Sequence, residues 1–327
     1  MVHTAELVIE LTAADMKYIS TKTPLRGDIN HITLGISFNE AISLNILKGR
    51  RKSNRKELFV APNKYFTSVW RAYLVVDFIK LLNTPNIFES DITKISSKLE
   101  HYLCNFIVSD ENYLELRRID YRFDARIDDE IVRAVLIKLY KKCLDKKHYM
   151  VKETTHKTSI IYFSKSRRDN VYDKETERKE KGKTIKDYER NILRFEAQIL
   201  QSHLCYLKKS QGLVKVLENY LDENMYRNYM DKMIVQTFYQ GDYYDIYRAK
   251  KLINQSVEFK NSAEEILDFM IDISKEGSVS KVLADISKYK YDKYIKILQK
   301  IGVNPILIPK HHRISFIENP LKPLYSR

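Results

Sequence analysis

The sequence predicts an α+β fold, with an antiparallel sheet and packed helices in an N-terminal domain and a mainly helical C-terminal part. Segments in which apolar and polar residues alternate lie within the first 200 or so residues. Beyond about residue 203 the apolar residues recur at helical spacing instead. We therefore place a first domain at residues 1–205 and a second, helical domain with a possible helix-turn-helix at residues 206–327.

Alternation and β-branched residues predict the strands of the first domain. The predicted strands are 5–11, 31–38, 57–62, 117–127, 156–166 and 191–200. The basic segment KGRRKSNRK at 48–56 is predicted to be a loop between two of them. The alternation is strictest at 117–127 and 191–200, and it sorts their side chains onto two faces. One face of the strand at 117–127 carries Tyr121, Phe123, Ala125 and Ile127. One face of the strand at 191–200 carries Leu193, Phe195, Ala197 and Ile199.

Helical spacing predicts one helix at 65–82, ended by Pro85, and another at 91–107 with Asp91 as its N-cap. A third, at 128–144, has acidic residues in its first turn and lysines in its last, which suits the helix dipole. The remaining predicted helices are 211–224, 225–238, 245–255, 262–275, 277–287 and 290–301.

The charge balance favours a polyanionic partner. The chain has 327 residues, with 57 Lys and Arg against 43 Asp and Glu, a net charge of +14. Residues 141–190 contain sixteen basic and nine acidic residues, and 48–56 contain six basic residues in nine. Because contacts to phosphates release counterions, such clusters are typical of nucleic-acid binding. The candidate DNA contacts in these two clusters are Arg167, Arg168, Arg50 and Arg51.

Several other classes of protein are excluded by missing patterns. The chain has only 8 Gly, and neither G-x-x-x-x-G-K-[ST] nor G-x-G-x-x-G occurs, which argues against a P-loop or Rossmann enzyme. Its three cysteines form no C-x-x-C pair, which suits a reducing compartment. We found no apolar run of about 18 residues and no signal-peptide pattern, so we expect a cytoplasmic protein without a membrane partner.

Carboxylates on two of the predicted strands form a candidate metal site. Asp120 and Asp124 share the polar face of one strand, and Glu196 lies on the polar face of the other. If the strands are neighbours, these oxygens can hold a hard cation such as Mg²⁺ or Mn²⁺. Arg122 and Arg194 lie on the same faces, and we count them as candidate DNA contacts. The alternative is a lattice of cross-strand salt bridges on a solvated face.

A candidate nucleophile lies in the polar stretch between those strands. Tyr172 is followed two residues later by Lys174, in a segment predicted to be a loop or the start of a helix. A tyrosine hydroxyl has a pKa near 10, so as a nucleophile it needs a nearby cation and a polarised electrophile. Tyr162 is the competing choice, but its apolar neighbours predict that it belongs to the core.

Three motifs in order, LRRIDYRFDARI, SKSRRDNVYDKETERK and ILRFEAQIL, resemble the replication initiators of filamentous phages, the gene II family, and related plasmid rolling-circle initiators. The helix predicted near 66–82 matches as well. The similarity covers about residues 60–210 and is weaker beyond. It rests on the ordered set, since no single motif is highly specific.

The resemblance implies site-specific nicking of one strand of duplex DNA at a replication origin, with a 5′-phosphotyrosine and a free 3′-OH primer as products. It implies Tyr172 as nucleophile, Lys174 as its accompanying lysine, and Asp120 and Glu196 as metal-binding acids. Asp124 matches the second acid of the plasmid relatives better. The implied partners are origin DNA, duplex and single-stranded, and a host helicase, in the cytoplasm of a bacterial host cell.

The sequence departs from the broader superfamily of such nickases, which is known for a His-hydrophobic-His pair that binds the metal. None of the eight histidines forms this pair, and His311 and His312 are adjacent. Either carboxylates take the place of the histidines or the site is degenerate. Two further hypotheses are a sequence-specific DNA-binding protein without catalysis and a helical interaction protein whose charge keeps it soluble.

The last three predicted helices are spaced like a helix-turn-helix. Ser278 and Ser280 are candidate caps of the middle helix. The last helix, or the turn just before it, carries Lys288, Lys290, Lys293, Lys296 and Lys300. The alternative is an ordinary helical hairpin with a solvated lysine face.

Overall fold

The structure of the chain is a computed structural model, and it describes residues 1–22, 26–28, 31–33, 40–52, 66–108, 113–147, 149–256 and 262–326. Its α+β class agrees with the sequence prediction, because a large antiparallel sheet occupies the N-terminal half and helices predominate in the C-terminal half. In the part of the chain that is described, every helix is too short or too polar to cross a lipid bilayer.

Thirteen strands and thirteen α-helices are found in the described residues. The strands are β1 (Val2–Leu11), β2 (Arg26–Asp28), β3 (His31–Thr33), β4 (Ile42–Lys52), β5 (Phe66–Asp77), β6 (Glu115–Arg126), β7 (Lys146–Lys147), β8 (Met150–Glu153), β9 (Ser159–Phe163), β10 (Arg167–Asp173), β11 (Ile192–Ile199), β12 (Tyr243–Tyr244) and β13 (Phe316–Ile317). The helices are α1 (Ala13–Lys22), α2 (Phe78–Leu82), α3 (Ile92–Leu103), α4 (Glu130–Tyr140), α5 (Lys174–Glu180), α6 (Gln201–Gln211), α7 (Glu223–Met230), α8 (Gln236–Phe238), α9 (Ile246–Gln255), α10 (Ala263–Glu276), α11 (Val279–Asp285), α12 (Lys288–Lys300) and α13 (Lys322–Tyr325).

The chain divides into two compact units, and each is made of two separate segments. The first unit contains residues 1–121 and 199–226, and the second contains residues 122–198 and 227–327. The units are therefore discontinuous in the sequence, whereas the predicted domains, 1–205 and 206–327, are continuous. Strand β6 contributes its first part to one unit and its second part to the other.

The first unit is built on antiparallel strands in the order β2–β3–β4–β5–β1–β6. β1 lies between β5 and β6, and it pairs with β5 over residues 4–11 and with β6 over residues 2–8. Leu7, Ile9 and Leu74 are buried on one face of these strands. Their burial removes apolar surface from water and holds the sheet of this unit together.

The second unit continues from the later part of β6 through β11, β10, β9, β8 and β7. Its core is rich in aromatic rings: Tyr140 of α4 lies 5.8 Å from Phe195 of β11 and 4.7 Å from Phe238 of α8. Tyr162 of β9 also meets Phe238, with the ring centroids 6.2 Å apart. Such tilted and edge-on pairs add to the free energy of burial. This packing fixes α4 against the strands that bear the site described below.

The predicted helix at 65–82 is wrong for most of its length. Residues 66–77 form the strand β5, and only Phe78–Leu82 is helical. Ala72, Leu74 and Val76 are buried at a spacing of two, as a strand requires. β4 pairs with residues 66–76 of β5 and β1 pairs with residues 70–77, and this non-local pairing overrides the local helical spacing.

The predicted loop at 48–56 is wrong for residues 48–52, because they belong to β4, whose register with β5 runs unbroken to its end. Residues 53–56 lie outside the described residues, as does the whole predicted strand at 57–62. Of the predicted strand at 31–38, residues 31–33 are strand β3 and the remainder lies outside the described part.

The polar stretch around Tyr172 is also different from the prediction. Residues 167–173 form strand β10, paired with β9, and only then does α5 begin. The predicted helix at 211–224 is wrong, because α6 ends at Gln211 and Gly212 has a left-handed backbone (φ 70°). A single 3₁₀ turn at Leu217–Asn219 follows before α7 begins at Glu223.

Other predictions are confirmed to within a few residues. β1, β6, β9 and β11 match predicted strands, and α3, α4, α9, α10, α11 and α12 match predicted helices. The predicted helix at 225–238 is present as α7, a π-helical turn at Asp231–Val235, and α8. Asp91 precedes α3 but its side chain makes no capping bond to that helix. Ser278 caps α11 as predicted, whereas Ser280 lies inside the helix.

Candidate functional site

Most of the predicted site residues of the second unit lie on one face of three neighbouring strands, and Lys174 begins α5 directly after the last of these strands. The strand order β6–β11–β10 makes the two carboxylate-bearing strands neighbours and adds the strand that carries Tyr172. Asp124 of β6 and Arg194 of β11 are bonded to each other, and Tyr172 of β10 is bonded to Glu196 of β11. We call Arg122, Asp124, Tyr172, Lys174, Arg194 and Glu196 the tyrosine cluster.

A single aspartate shapes the turn that presents Tyr172 and Lys174. Asp173 ends β10, and its Oδ1 accepts a hydrogen bond of 3.0 Å from the backbone N–H of Thr176, which caps α5. Its Oδ2 accepts a 2.7 Å bond from Nε of Arg133 on α4. Both groups are buried, so this charge-assisted bond is shielded from water. The strand therefore ends and the helix begins at a fixed point, with Tyr172 on one side and Lys174 on the other.

The hydroxyl of Tyr172 donates a hydrogen bond of 2.9 Å to Oε1 of Glu196. Burial raises the pKa of Tyr172 well above its usual value near 10, the negative charge of Glu196 raises it further, and Arg194 opposes the rise. The phenol is thus protonated at neutral pH and is paired with a carboxylate that can accept its proton. This is the geometry of a hydroxyl nucleophile with an adjacent general base.

Two buried arginines lie beside this pair. Arg194 is 1% exposed and forms two hydrogen bonds with Asp124, Nε to Oδ1 at 2.7 Å and Nη2 to Oδ2 at 2.9 Å. Nε of Arg122 lies 3.4 Å from Oδ2 of the same carboxylate. Burial and the charge of Arg194 lower the pKa of Arg122, while Tyr172 and Asp124 outweigh burial and raise the pKa of Arg194. Both guanidinium groups remain cations at neutral pH because the pKa of arginine starts above 12.

Lys174 completes the positive side of the cluster. Its Nζ lies 5.7 Å from the centre of the Tyr172 ring and donates a 2.9 Å hydrogen bond to Glu177 of α5. Glu189 is 3.8 Å from the same ammonium group. Burial and the nearby Arg194 lower the pKa of Lys174, and Glu177 opposes this. Lys174 therefore lies beside the ring of Tyr172, with its ammonium group bonded to Glu177.

Asp120 belongs to the first unit, where the structure gives it other partners. Its carboxylate accepts hydrogen bonds from the hydroxyl of Thr4 and, at 3.0 Å, from Nε of Arg118. The predicted metal ligands are thus divided between the two units, with Asp124 and Glu196 in the second. Among the described residues, no group of three or more His, Cys, Asp or Glu side chains is arranged to hold a metal ion.

Whether the tyrosine cluster can bind a divalent cation depends on which of its carboxylate oxygens are already hydrogen-bonded to other groups. Asp124 does not fit, because both its oxygens are held by Arg194 and a second guanidinium lies at 3.4 Å. Glu196 keeps the right chemistry as an oxygen donor. Asp120 is no better placed than Asp124, because its two oxygens are bonded to Thr4 and Arg118.

The predicted DNA-contacting arginines differ in exposure. Arg168 is exposed on β10, and Arg167 is half-buried, with its guanidinium 5.8 Å from the ring of Tyr229. Arg122 and Arg194 are buried within the cluster. The backbone of Arg50 and Arg51 lies in β4, but their side chains fall outside the described residues.

Tyr162, the competing nucleophile, is fully buried and donates a 2.6 Å hydrogen bond to the carbonyl of Leu144. The sequence reading of Tyr162 as a core residue is confirmed. Sequence reasoning missed Arg133 and Asp173, which shape the turn after Tyr172. The sequence did contain a sign of Arg133's role. Arg133 lies at helical spacing from Ile137 and Tyr140, on the buried face of α4. A charged side chain on such a face needs a partner of opposite charge.

Comparisons with known proteins add nothing to this geometry: no family model matches the chain, and neither does any curated protein. The functional interpretation therefore depends on the tyrosine cluster and on the motifs described above.

Proposed function

We propose that this chain initiates rolling-circle replication by nicking one strand of duplex DNA at an origin. The observation that carries the proposal is the hydrogen bond from Tyr172 to Glu196 beside two buried arginines and Lys174. A nucleophile, a base and a set of cations are the parts that phosphoryl transfer to a tyrosine requires. The cytoplasm of a bacterial host is the proposed place of action.

In the proposed reaction the Tyr172 oxygen attacks the phosphorus of the scissile phosphodiester and its proton passes to Glu196. The new bond joins the tyrosine oxygen to phosphorus, and the bond from phosphorus to the 3′-oxygen breaks. The 3′-oxygen leaves, takes up a proton and becomes the 3′-OH primer, while the 5′-phosphate stays on Tyr172. Attack by a 3′-OH on that phosphotyrosine reverses the step and joins the strand.

The cations of the cluster have a direct role in this proposal. Arg122, Arg194 and Lys174 offset part of the negative charge that builds up on the phosphoryl oxygens, since each also has a carboxylate partner, and buried groups do this more strongly than groups in water. Within the cluster Tyr172 and Asp124 are the partly exposed members, so the phosphate approaches along their side. Glu196 would hold Mg²⁺ or Mn²⁺ through a carboxylate oxygen, and the ion would polarise the phosphate.

The test uses supercoiled plasmid that carries the replicon of this chain, incubated with the protein and Mg²⁺. We expect relaxed circles with protein bound covalently to a 5′-end, visible after denaturation. Intact supercoils together with tight, sequence-specific binding would overturn the nicking proposal in favour of DNA binding without catalysis.

That second candidate has its own supporting observation. α10, α11 and α12 form a compact set, in which Tyr294 of α12 donates a 2.6 Å hydrogen bond to Glu265 of α10 and packs on Phe269. The lysines of α12 are all exposed: Lys288, Lys290, Lys293, Lys296 and Lys300. A helix-turn-helix role predicts that replacing Lys290 and Lys293 by Ala lowers origin preference and flattens the salt dependence of binding, by about one unit of slope per phosphate contact.

A further inference from the structure

A cleft with a volume of about 510 Å³ lies on the first unit, over strands β1, β5 and β6. It is separate from the tyrosine cluster, and no proposed step uses it. Its lining includes Glu10, Arg71, Tyr73, Tyr113, Glu115 and Arg117. Two tyrosines and two arginines in one polar cleft point to a ligand with flat rings.

The rings and the guanidinium group of this cleft offer stacking surfaces. The guanidinium carbon of Arg117 lies 4.9 Å from the centre of the Tyr73 ring, within the range of a cation–π contact. Tyr113 is 57% exposed at the edge of the cleft. Nucleic-acid bases stack on both aromatic rings and arginine planes, and they do so when they are unpaired.

The charges of the cleft are balanced, which favours base edges over phosphates. Arg71 donates a 2.8 Å hydrogen bond to Glu10 across β5 and β1, and Lys215 pairs with Glu115. Nε of Arg117 lies 3.7 Å from Glu6. Because each cation has a carboxylate beside it, the cleft has little surplus charge to attract a phosphate backbone. It presents donors and acceptors together, as the edge of a base requires.

We infer that this cleft binds a base of single-stranded DNA, with Tyr113 as the exposed stacking surface. The choice of DNA rests on the proposed function. A strand that is nicked and unwound supplies unpaired bases, whereas the bases of an intact duplex are stacked on each other and cannot enter such a cleft.

The experiment measures fluorescence anisotropy of a labelled oligo(dT) of about 12 nucleotides, a length within the usual site size. All variants carry Tyr172→Phe, so that no covalent adduct contributes to the signal. We expect Tyr113→Ala to weaken binding about fivefold to a hundredfold, the loss typical of one stacked base, and Tyr113→Phe to bind like the parent. Binding of a duplex of the same length should change less than about twofold.

Tyr206→Ala is the matched control, since Tyr206 is 60% exposed, belongs to the same unit and lies outside the cleft. Thermal unfolding of each variant checks the fold. Equal oligo(dT) affinity for Tyr113→Ala and Tyr206→Ala overturns the inference, as does a Tyr113→Phe variant that binds as weakly as Tyr113→Ala. Failure of the nicking proposal gives a different result. The parent protein, which keeps Tyr172, would then bind oligo(dT) normally but form no covalent adduct with origin DNA.

Discussion

Arg194 and Asp124 form a two-point hydrogen-bonded ion pair, at 2.7 and 2.9 Å, in which the arginine is almost wholly buried. The pair joins β6 to β11 directly beside Tyr172 and Glu196. It also gives Asp124 a structural partner, where the plasmid resemblance implies a metal-binding acid. The first prediction concerns this pair.

Asp124→Ala should lower the free energy of unfolding by about 3–5 kcal/mol, because it leaves the charge of Arg194 buried without its partner. Urea unfolding measures the change. The control is Asp128→Ala, which removes the carboxylate of an exposed pair with Arg126. Exposed pairs contribute little, so the control should unfold almost like the parent. Equal midpoints for both variants would contradict the structural role of Asp124.

Tyr172→Phe removes one oxygen and should abolish the covalent DNA adduct while DNA binding persists. Tyr162→Phe also removes one phenolic hydroxyl, but that hydroxyl lies in the core and donates a hydrogen bond to the carbonyl of Leu144. That variant should lose about 1 kcal/mol of stability and keep its adduct. Mass spectrometry of the adduct peptide checks the assignment. A peptide linked through Tyr162 or Tyr188 would exclude Tyr172 and leave nicking itself intact.

Glu196→Gln should slow adduct formation by about 10²–10⁴-fold at neutral pH, because the amide cannot accept the proton of Tyr172. Without that base the phenol must ionise by itself, and its pKa is raised well above 10 by burial. The rate of the variant should therefore rise with pH through the alkaline range, while the parent is much less dependent on pH there. Single-turnover adduct assays at a series of pH values measure this. A variant whose rate stays flat with increasing pH argues against Glu196 as the base.

The metal prediction is tested by removing the ion. If Asp120 and Glu196 hold Mg²⁺ or Mn²⁺, saturating EDTA abolishes nicking and leaves gel-shift binding largely intact, since binding depends on basic side chains. Asp120→Asn should have the same effect as EDTA, and thermal unfolding shows whether its bonds to Thr4 and Arg118 are needed for the fold. Full nicking in EDTA contradicts the metal prediction and does not affect the prediction for Tyr172.

The three cysteines should differ in reactivity. Cys104 and Cys205 are exposed, whereas burial raises the pKa of Cys143 to about 12. Because the thiolate is the reactive form, a disulfide reagent in mildly alkaline buffer should modify two thiols in the folded chain and all three after unfolding. Absorbance of the released thiol measures the count. Rapid reaction of a third thiol in the folded chain would show that Cys143 is accessible.

The local sequence was sufficient to predict those strands and helices whose own residues show a clear apolar pattern. The alternation at 117–127 and 191–200 predicted both strands and the two faces of each, since side chains of a strand point to opposite sides in turn. The helical spacing of its apolar residues predicted α4, and the structure adds Asp129 as its N-cap. The predicted placement of Tyr162 in the core followed in the same way from its apolar neighbours.

Tertiary structure decided what depends on partners distant in the sequence. Whether residues 66–77 form a helix or a strand was settled by β1 and β4 on either side, because sheet hydrogen bonds come from other segments. Tyr172 lies in a strand because β9 pairs with β10. The partners of the predicted acids were settled in the same way: Arg194 holds Asp124, Tyr172 bonds to Glu196, and Asp120 lies in the first unit. Composition and spacing supply these charges, but only the folded chain brings each one to its partner.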